Sequence, residues 1–191
     1  MPGTRKLLLL DLDGITFKLV DHFGEYGVSA RTLPEIKIVD GLGTLLDELT
    51  AAEYVIVGCT NQPDRARGKI TSEFLVEKHR LLMEKYPQIV DVFMCAHTET
   101  DLCDCRKPKP GLLRQAAKRY DDDFSVSWMV GDSRGDIESG VLVHARTILV
   151  QTPYNCGNPA IDIATAIAKD TRGALALILA LERGETNKDD V

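Results

Sequence analysis

Short apolar runs alternate with helical patterns along most of the chain. The runs at 6–10, 54–57, 89–94, 126–130 and 147–150 are continuous, as in strands buried on both faces. Between and after them, apolar residues recur at helical spacing over 41–49, 69–85, 110–120, 135–143, 160–168 and 173–182. This alternation predicts an α/β doubly wound, Rossmann-like fold, with a parallel sheet and helices on both faces.

Two stretches interrupt the alternation. Residues 14–37 are irregular and rich in glycine and charge, which predicts a loop over the strand ends rather than a large cap domain. Residues 95–110 form a second excursion and hold cysteine and histidine. We therefore expect one domain over 1–184, with a small metal-binding loop at about 95–105 and a polar tail over 185–191.

Composition narrows the possible partners. The chain has 191 residues and a net charge of −6, which argues against a nucleic-acid surface because such surfaces are basic. The apolar run at 7–10 is too short for a membrane span or a signal peptide. We expect a cytoplasmic protein with no membrane partner, in which cysteines are free thiols or metal ligands. The sequence indicates no oligomeric state.

Carboxylates follow two of the predicted strands. Asp11 and Asp13 come directly after the first strand, where one could attack phosphorus and bind a cation while the other moves a proton. Asp132 and Asp136 follow the strand at 126–130, as a candidate metal ligand and a residue that orients it or Lys107. Each pair also has a plainer interpretation, because aspartate favours turns and helix N-termini.

Candidate phosphate-binding groups occur in two other segments of the chain. Thr60, Asn61 and Gln62 end the second strand, where a hydroxyl and backbone amides could grip phosphate, although Thr60 or Asn61 could equally cap a helix. Arg106 and Lys107 belong to a basic segment held by two prolines, where arginine can fork onto phosphate oxygens and lysine supplies a point charge. The alternative for this segment is a solvated basic turn.

Cysteine and histidine form a second constellation. Cys95, His97, Cys103 and Cys105 lie within eleven residues and could close a tetrahedral zinc site in a loop too short for its own core. Unrelated thiols, or a redox pair of Cys103 and Cys105, remain alternatives. A zinc hydrolase would need an open coordination position, which four protein ligands leave no room for.

The order of these motifs resembles the haloacid dehalogenase superfamily of phosphohydrolases over about residues 6–150. Residues 60–62 with 66–68, and the segment 105–111, look like the branch containing heptose-1,7-bisphosphate 7-phosphatase and histidinol-phosphatase. The resemblance implies Mg²⁺ at the carboxylates of Asp11 and Asp132 and the backbone carbonyl of Asp13. It also implies a structural zinc in the loop beside the active site.

Catalytic roles follow from the same resemblance. Asp11 would be the nucleophile that forms an aspartyl-phosphate, and Asp13 the general acid and then the base. Thr60 and Lys107 would hold the phosphoryl group. The residues expected to contact substrate are Asp21, His22, Asn61, Gln62 and Arg106.

Four departures from the pattern of the branch lie near the expected substrate contacts. Ile15 displaces the usual threonine by one place, to Thr16, and Ser133 stands where the heptose phosphatases tend to have lysine. The segments 23–26 and 63–65 also diverge. The reaction is therefore better specified than the substrate.

The leading hypothesis is a magnesium-dependent phosphatase acting on a small phosphorylated metabolite, and the first candidate substrate is a heptose bisphosphate. Histidinol phosphate is the alternative substrate within the branch. A phosphatase acting on nucleic-acid ends would need a basic or aromatic platform that the sequence lacks. A catalytically silent binding module on the same fold is the alternative of another class, which the joint presence of Asp11, Asp13, Lys107 and Asp132 argues against.

Overall fold

A computed structural model describes residues 6–22, 24–122 and 124–185, and these residues form the predicted α/β fold. The strands are β1 (Lys6–Leu10), β2 (Val20–His22), β3 (Glu25–Val28), β4 (Tyr54–Asn61), β5 (Ile89–Cys95), β6 (Trp128–Gly131), β7 (Arg146–Val150) and β8 (Ala166–Ala168). The α-helices are α1 (Gly43–Ala51), α2 (Ser72–Lys85), α3 (Gly111–Tyr120), α4 (Arg134–Val141) and α5 (Thr171–Glu182).

Six of the described strands form one parallel sheet in the order β5-β4-β1-β6-β7-β8. The strand β1 lies at its centre, where Leu10 pairs with Gly58 on one side and Val130 on the other. The carboxyl ends of β1, β4 and β6 therefore meet at one edge, which is where ligands bind in open α/β sheets.

The four leucines of β1 are buried, and they divide between two apolar clusters because successive side chains point to opposite faces. Leu8 and Leu10 share a cluster with residues of α1 and α5, whereas Leu7 and Leu9 share one with residues of α3. The sheet is thus covered on both faces. This explains why its central strand is a continuous apolar run.

The predicted helix over 160–168 is wrong. The segment forms a short 3₁₀ helix, Pro159–Asp162, followed by the edge strand β8. Thr147 and Thr165 exchange hydrogen bonds in both directions, each hydroxyl accepting the other's backbone N–H at 3.0 Å, and this draws the segment alongside β7. The burial of Ala166 and Ala168 around an exposed Ile167 has the period of a strand.

Other predicted boundaries shift for identifiable reasons. Helix α2 begins at Ser72 rather than at 69, because the Thr71 hydroxyl accepts the Phe74 N–H at 3.1 Å and caps it. The expected loop at 14–37 contains the antiparallel hairpin β2–β3. The predicted strand at 126–130 begins at Trp128.

The expected tail lies outside the described residues from 186 onward, as does residue 23 of the divergent segment 23–26. Among the described helices, none combines the length and apolar character that crossing a bilayer requires.

Candidate active site

Three carboxylates that end or follow parallel strands converge at the carboxyl edge of the sheet. We call Asp11, Asp132 and Asp136 the acid cluster, since one oxygen from each lies within 4.8 Å of the others. Asp11 follows β1, Asp132 follows β6, and Asp136 lies in the first turn of α4. Neighbouring strands bring together residues more than 100 positions apart.

Lys107 is the cation at this cluster. Its Nζ lies 2.7 Å from Asp11 Oδ1, forms a close ion pair with Asp136, and donates to the Cys59 carbonyl. The residue is only 4% exposed, so water screens these interactions little. Lys107 therefore contacts both of its predicted partners: Asp11, at the expected phosphoryl site, and Asp136, the residue expected to orient it.

The charges of the acid cluster are not balanced by Lys107 alone. Burial, with a contribution from Asp136, raises the pKa of Asp11 to about 7, although Lys107 opposes the shift. Burial, followed by repulsion from Asp11 and Asp136, raises the pKa of Asp132 to about 8. Despite burial, Asp11 and Asp136 raise the pKa of Lys107. A further cation would relieve this repulsion, and carboxylate oxygens are the donors that Mg²⁺ prefers, so the cluster fits that ion.

Two glycines allow the chain to approach these carboxylates closely. Gly14 has φ of +92°, and a Cβ added there would lie 2.2 Å from Asp132 Oδ2. A Cβ at Gly131 would lie 2.3 Å from that of Asp136. Any larger residue at either position would displace an acid of the cluster.

The departures at positions 15 and 133 have structural explanations. Ile15 is fully buried in the core, and the displaced Thr16 donates its hydroxyl to the Leu12 carbonyl at 3.2 Å. Ser133 caps α4, because its hydroxyl accepts the Asp136 N–H while Asp136 Oδ2 accepts the Ser133 N–H at 2.9 Å. This reciprocal capping orients Asp136 toward Lys107.

Asn61 connects two of the predicted phosphate-binding segments. Its Nδ2 donates to the Lys107 carbonyl at 3.0 Å, and its Oδ1 accepts the Lys107 N–H at 3.1 Å. Asn61 also lines the cleft, where the prediction expected a substrate contact. The two bonds hold the backbone of Lys107 beside β4, a positioning role that the sequence did not suggest.

Asp13 is held apart from the acid cluster. Gln62 Nε2 donates to its Oδ2 at 2.7 Å and also contacts the Thr60 hydroxyl at 3.0 Å, while Lys78 Nζ lies 2.6 Å from its Oδ1. Sequence reasoning missed Lys78. A signal was present, because Leu75, Lys78 and Leu82 share the buried face of α2 at helical spacing.

A cleft of about 710 Å³ opens above these groups. Asp13, Gln62 and Asp132 line it, as do Arg31 and Arg106. Three further lining residues are Tyr154, Asn155 and Asn158. No sequence motif indicated Asn155, whose side-chain amide donates to the carbonyls of Asp132 and Val150, both at 2.8 Å, and so connects the lining of the cleft to the ends of two strands.

The predicted substrate contacts are not all placed in the cleft. Arg106 lines it and pairs with Glu99. Asp21 and His22 are absent from its described lining residues. Asp21 instead accepts the Gly27 N–H at 2.9 Å within the hairpin, and His22 lies 3.7 Å from Glu35. Their contact with substrate stays a prediction.

The four residues of the second constellation form the cysteine–histidine cluster: Cys95, His97, Cys103 and Cys105. Their sulfur–sulfur distances are 3.7 Å (Cys95–Cys103) and 3.5 Å (Cys103–Cys105), and His97 Nδ1 lies 3.3 Å from Cys105 Sγ. Sulfurs around a tetrahedral zinc with bonds of about 2.3 Å would be roughly 3.8 Å apart. A disulfide would need about 2.05 Å, and all five cysteines of the chain, each within the described residues, are free.

The three thiols of this cluster differ in their pKa shifts. Burial, followed by the neighbouring Cys95 and Cys103, raises the pKa of Cys105 to about 12. Burial likewise raises the pKa of Cys95. Cys103 differs because, despite burial, hydrogen bonds from the Arg106 backbone and the Cys105 side chain lower its pKa to about 7. Cys103 is therefore the thiol that ionises first, and thiolates bind zinc strongly.

Comparison with known proteins identifies relatives of this chain. The HAD-hydrolase-like family model matches residues 104–171. The D-glycero-beta-D-manno-heptose-1,7-bisphosphate 7-phosphatase of Pseudomonas putida is 34% identical over 151 residues, which cover 77% of this chain and 83% of the relative. The enzyme of the same name from Pseudomonas aeruginosa is 35% identical, over 78% of this chain and 83% of its own.

A solved structure extends the similarity to the fold. The D,D-heptose 1,7-bisphosphate phosphatase of Bordetella bronchiseptica, solved with magnesium and phosphate, superposes with a TM-score of 0.78 at 28% identity. The match covers 92% of this chain and 99% of that one.

Proposed function

This chain belongs to the haloacid dehalogenase (HAD)-like hydrolases and is a phosphoric monoester hydrolase, and from that premise we propose that it dephosphorylates a heptose bisphosphate through an aspartyl-phosphate on Asp11. The observation that carries the proposal is the contact of a buried Asp11 with Lys107, at 2.7 Å, inside a three-carboxylate cluster at the strand ends. The choice of a heptose bisphosphate as substrate rests on the names of the relatives reported above.

The first step transfers the phosphoryl group to the protein. An Asp11 carboxylate oxygen attacks phosphorus as the bond to the leaving oxygen breaks, and Asp13 gives that oxygen a proton. Lys107 and Thr60 hold the phosphoryl oxygens, and the ammonium group of Lys107 neutralises part of their charge. The proximity of Thr60 to Lys107 supports this role, because the carbonyl of the preceding residue, Cys59, accepts a hydrogen bond from Lys107.

The second step releases phosphate. Asp13, now ionised, takes a proton from a water molecule whose oxygen attacks the phosphorus of the aspartyl-phosphate. The bond between phosphorus and the Asp11 oxygen breaks, which restores the carboxylate of Asp11 and the proton on Asp13. Each residue therefore ends the cycle as it began.

Magnesium would be held by the carboxylates of Asp11 and Asp132 and the backbone carbonyl of Asp13. When bound, it supplies charge neutralisation for the phosphoryl oxygens in transfer. Asp136 would then orient Lys107, with which it pairs closely.

A second anionic group on the substrate fits the wall of the cleft. Five cations line the cleft: Arg31, Arg67, Lys69, Arg106 and Arg134. Their four acidic partners among the described residues are Glu25, Asp64, Glu99 and Glu138. The wall thus has one more cation than acid. This favours a bisphosphate over histidinol phosphate, whose far end carries an amine.

The cysteine–histidine cluster would hold a structural zinc. Its four soft ligands complete a tetrahedral shell and leave no open position for chemistry. The loop that carries it leads directly into Arg106 and Lys107, and Lys109 Nζ donates back to the Cys103 carbonyl at 2.7 Å. The zinc would therefore fix the segment that supplies the phosphate-binding lysine.

The test is magnesium-dependent phosphate release from a substrate panel: heptose 1,7-bisphosphate, histidinol phosphate, hexose phosphates, nucleotides and an aryl phosphate. Asp11→Asn protein serves as the blank. We expect the largest kcat/KM for the heptose bisphosphate, lost in the blank. Preference for histidinol phosphate would overturn the substrate assignment, and phosphate release by the Asp11→Asn protein would overturn the mechanism.

A further inference from the structure

Lys78 is a lysine on the buried face of α2, where its side chain has no contact with solvent. It is 0% exposed, whereas lysine is almost never fully buried unless it is paired. Taking the ammonium group out of water is costly, and an apolar residue of similar volume would usually stabilise such a position as well or better. Packing alone therefore gives little reason for a lysine here.

The Lys78 ammonium group contacts Asp13 directly. Its Nζ lies 2.6 Å from Asp13 Oδ1 and 4.6 Å from the centre of the Phe17 ring, whose face favours a cation. Phe17 is itself fixed to the Asp13 turn, because its N–H donates to the Leu12 carbonyl and its carbonyl accepts the Gly14 N–H, both at 2.8 Å. Lys78 is thus clamped between the Asp13 carboxylate and a ring that belongs to the same turn.

The two oxygens of Asp13 have different partners. Oδ1 faces the ammonium group of Lys78, which has three donors and no acceptor. Oδ2 faces the side-chain amide of Gln62, a group that has both donors and an acceptor. A proton on Oδ1 would point at the ammonium group, which has no acceptor. Gln62 donates to the ionised Oδ2 through Nε2, and by turning its amide it can present its oxygen as the acceptor for a proton on Oδ2. A protonated Asp13 therefore carries its proton on Oδ2. Asp13 and Gln62 line the cleft, whereas Lys78 is not among its described lining residues.

We propose that Lys78 is a positioning residue that makes Asp13 Oδ2 the oxygen that exchanges protons with the leaving group and with water. The proposal rests on the proposed role of Asp13 as the general acid and base. In the first step the proton passes from Oδ2 to the leaving oxygen as its bond to phosphorus breaks, and in the second step Oδ2 receives a proton from the attacking water. Lys78 keeps its own protons throughout.

Substrates with different leaving groups test this proposal. The phenolate of an aryl phosphate with an acidic phenol leaves without protonation. The sugar oxygen of a sugar phosphate, in contrast, needs a proton from the enzyme as it leaves. The readout is the ratio of kcat/KM for p-nitrophenyl phosphate to kcat/KM for heptose bisphosphate, in wild type and Lys78→Met protein. Both rates come from one sample, so the ratio does not depend on the fraction of protein that is folded.

We expect the ratio to rise at least about tenfold in the Lys78→Met variant, since a positioned general acid contributes roughly 10²- to 10⁴-fold. Lys85→Met is the matched control, two turns along the same helix, where the lysine is partly exposed and pairs with Asp40. It should leave the ratio within about twofold of wild type. An unchanged ratio in Lys78→Met protein would overturn the proposal.

A double variant separates this proposal from the proposed function. Asp13→Asn should raise the ratio by itself, and adding Lys78→Met to it should change the ratio no further, because Lys78 acts through Asp13. If Asp13→Asn leaves the ratio unchanged, the role of Asp13 as the acid is wrong. If Asp13→Asn raises the ratio but Lys78→Met does not, only the role of Lys78 is wrong. A further rise in the double variant would show that Lys78 acts on another group.

Discussion

The acid cluster and the cysteine–histidine cluster could each hold a metal ion, but they are built in opposite ways. Asp11 lies more than 100 residues from Asp132 and Asp136 in the chain, and the three meet because the parallel strands β1 and β6 end side by side. The cysteines and histidine of the second cluster lie between residues 95 and 105 in a segment of little regular structure. In the first cluster the fold supplies the geometry, whereas in the second the ligands surround a loop that the fold alone does not order.

This difference separates the consequences of losing each metal ion. Strand pairing and two close glycine contacts keep the acid cluster in place without a cation, so a lost Mg²⁺ should remove activity first. The cysteine–histidine cluster has one 3₁₀ turn, Glu99–Asp101, and few buried side chains, so a lost zinc should remove structure first.

The largest expected effect concerns activity at the acid cluster. Asp11→Asn removes the proposed nucleophile, so we expect phosphate release to fall by roughly four orders of magnitude or more. The melting temperature should hold or rise, because one of three crowded acids is gone. Asp40→Asn is the matched control, an exposed aspartate paired with Lys85, and should keep wild-type activity. An Asp11→Asn enzyme within tenfold of wild type would contradict the comparison.

The next effect concerns stability at the cysteine–histidine cluster. Cys103→Ser removes one of the four proposed zinc ligands. Bound zinc should therefore fall from the expected one per chain toward none, and the melting temperature should fall by about 5 °C or more. Mass spectrometry under native conditions and calorimetry measure both. Cys156→Ser, at an exposed thiol outside the cluster, should change neither. Loss of zinc without loss of stability would show that the fold does not depend on this metal ion.

The smallest effect is the pH dependence of stability in magnesium-free protein. The pKa values of Asp11 and Asp132, about 7 and about 8, exceed their ordinary 3.8, so between these values the folded chain binds more protons than the unfolded chain. The free energy of unfolding should therefore fall as pH rises from about 4 to about 8. Added Mg²⁺ should restore several degrees of melting temperature at pH 8 and much less at pH 5. Equal stabilisation at both pH values would contradict this assignment.

Residues that end buried strands could be predicted from the sequence, because the carboxyl ends of parallel strands meet at one edge of the sheet, where ligands bind. Asp11, Thr60 and Asp132 are of this kind. Residues that act through side-chain geometry were missed: the two bonds from Asn61 to Lys107, and the contact of Lys78 with Asp13, depend on the packing of distant segments. Strand β8 was missed because alanine favours helices, and only its pairing with β7 overrides that preference.

The most direct test of the central claim, that Asp11 carries the phosphoryl group, is to trap that group. Asp13→Asn protein is mixed with Mg²⁺ and p-nitrophenyl phosphate, whose phenolate leaves without a proton from Asp13, and is then quenched in acid within one turnover and digested for peptide mass spectrometry. Because Asp13 would no longer activate water, the aspartyl-phosphate should accumulate on the peptide that contains Asp11, and Asp11→Asn protein treated in the same way should show none. Phosphate release by wild-type enzyme, together with a phosphoryl group on another residue or on none in the trapped sample, would contradict the assignment.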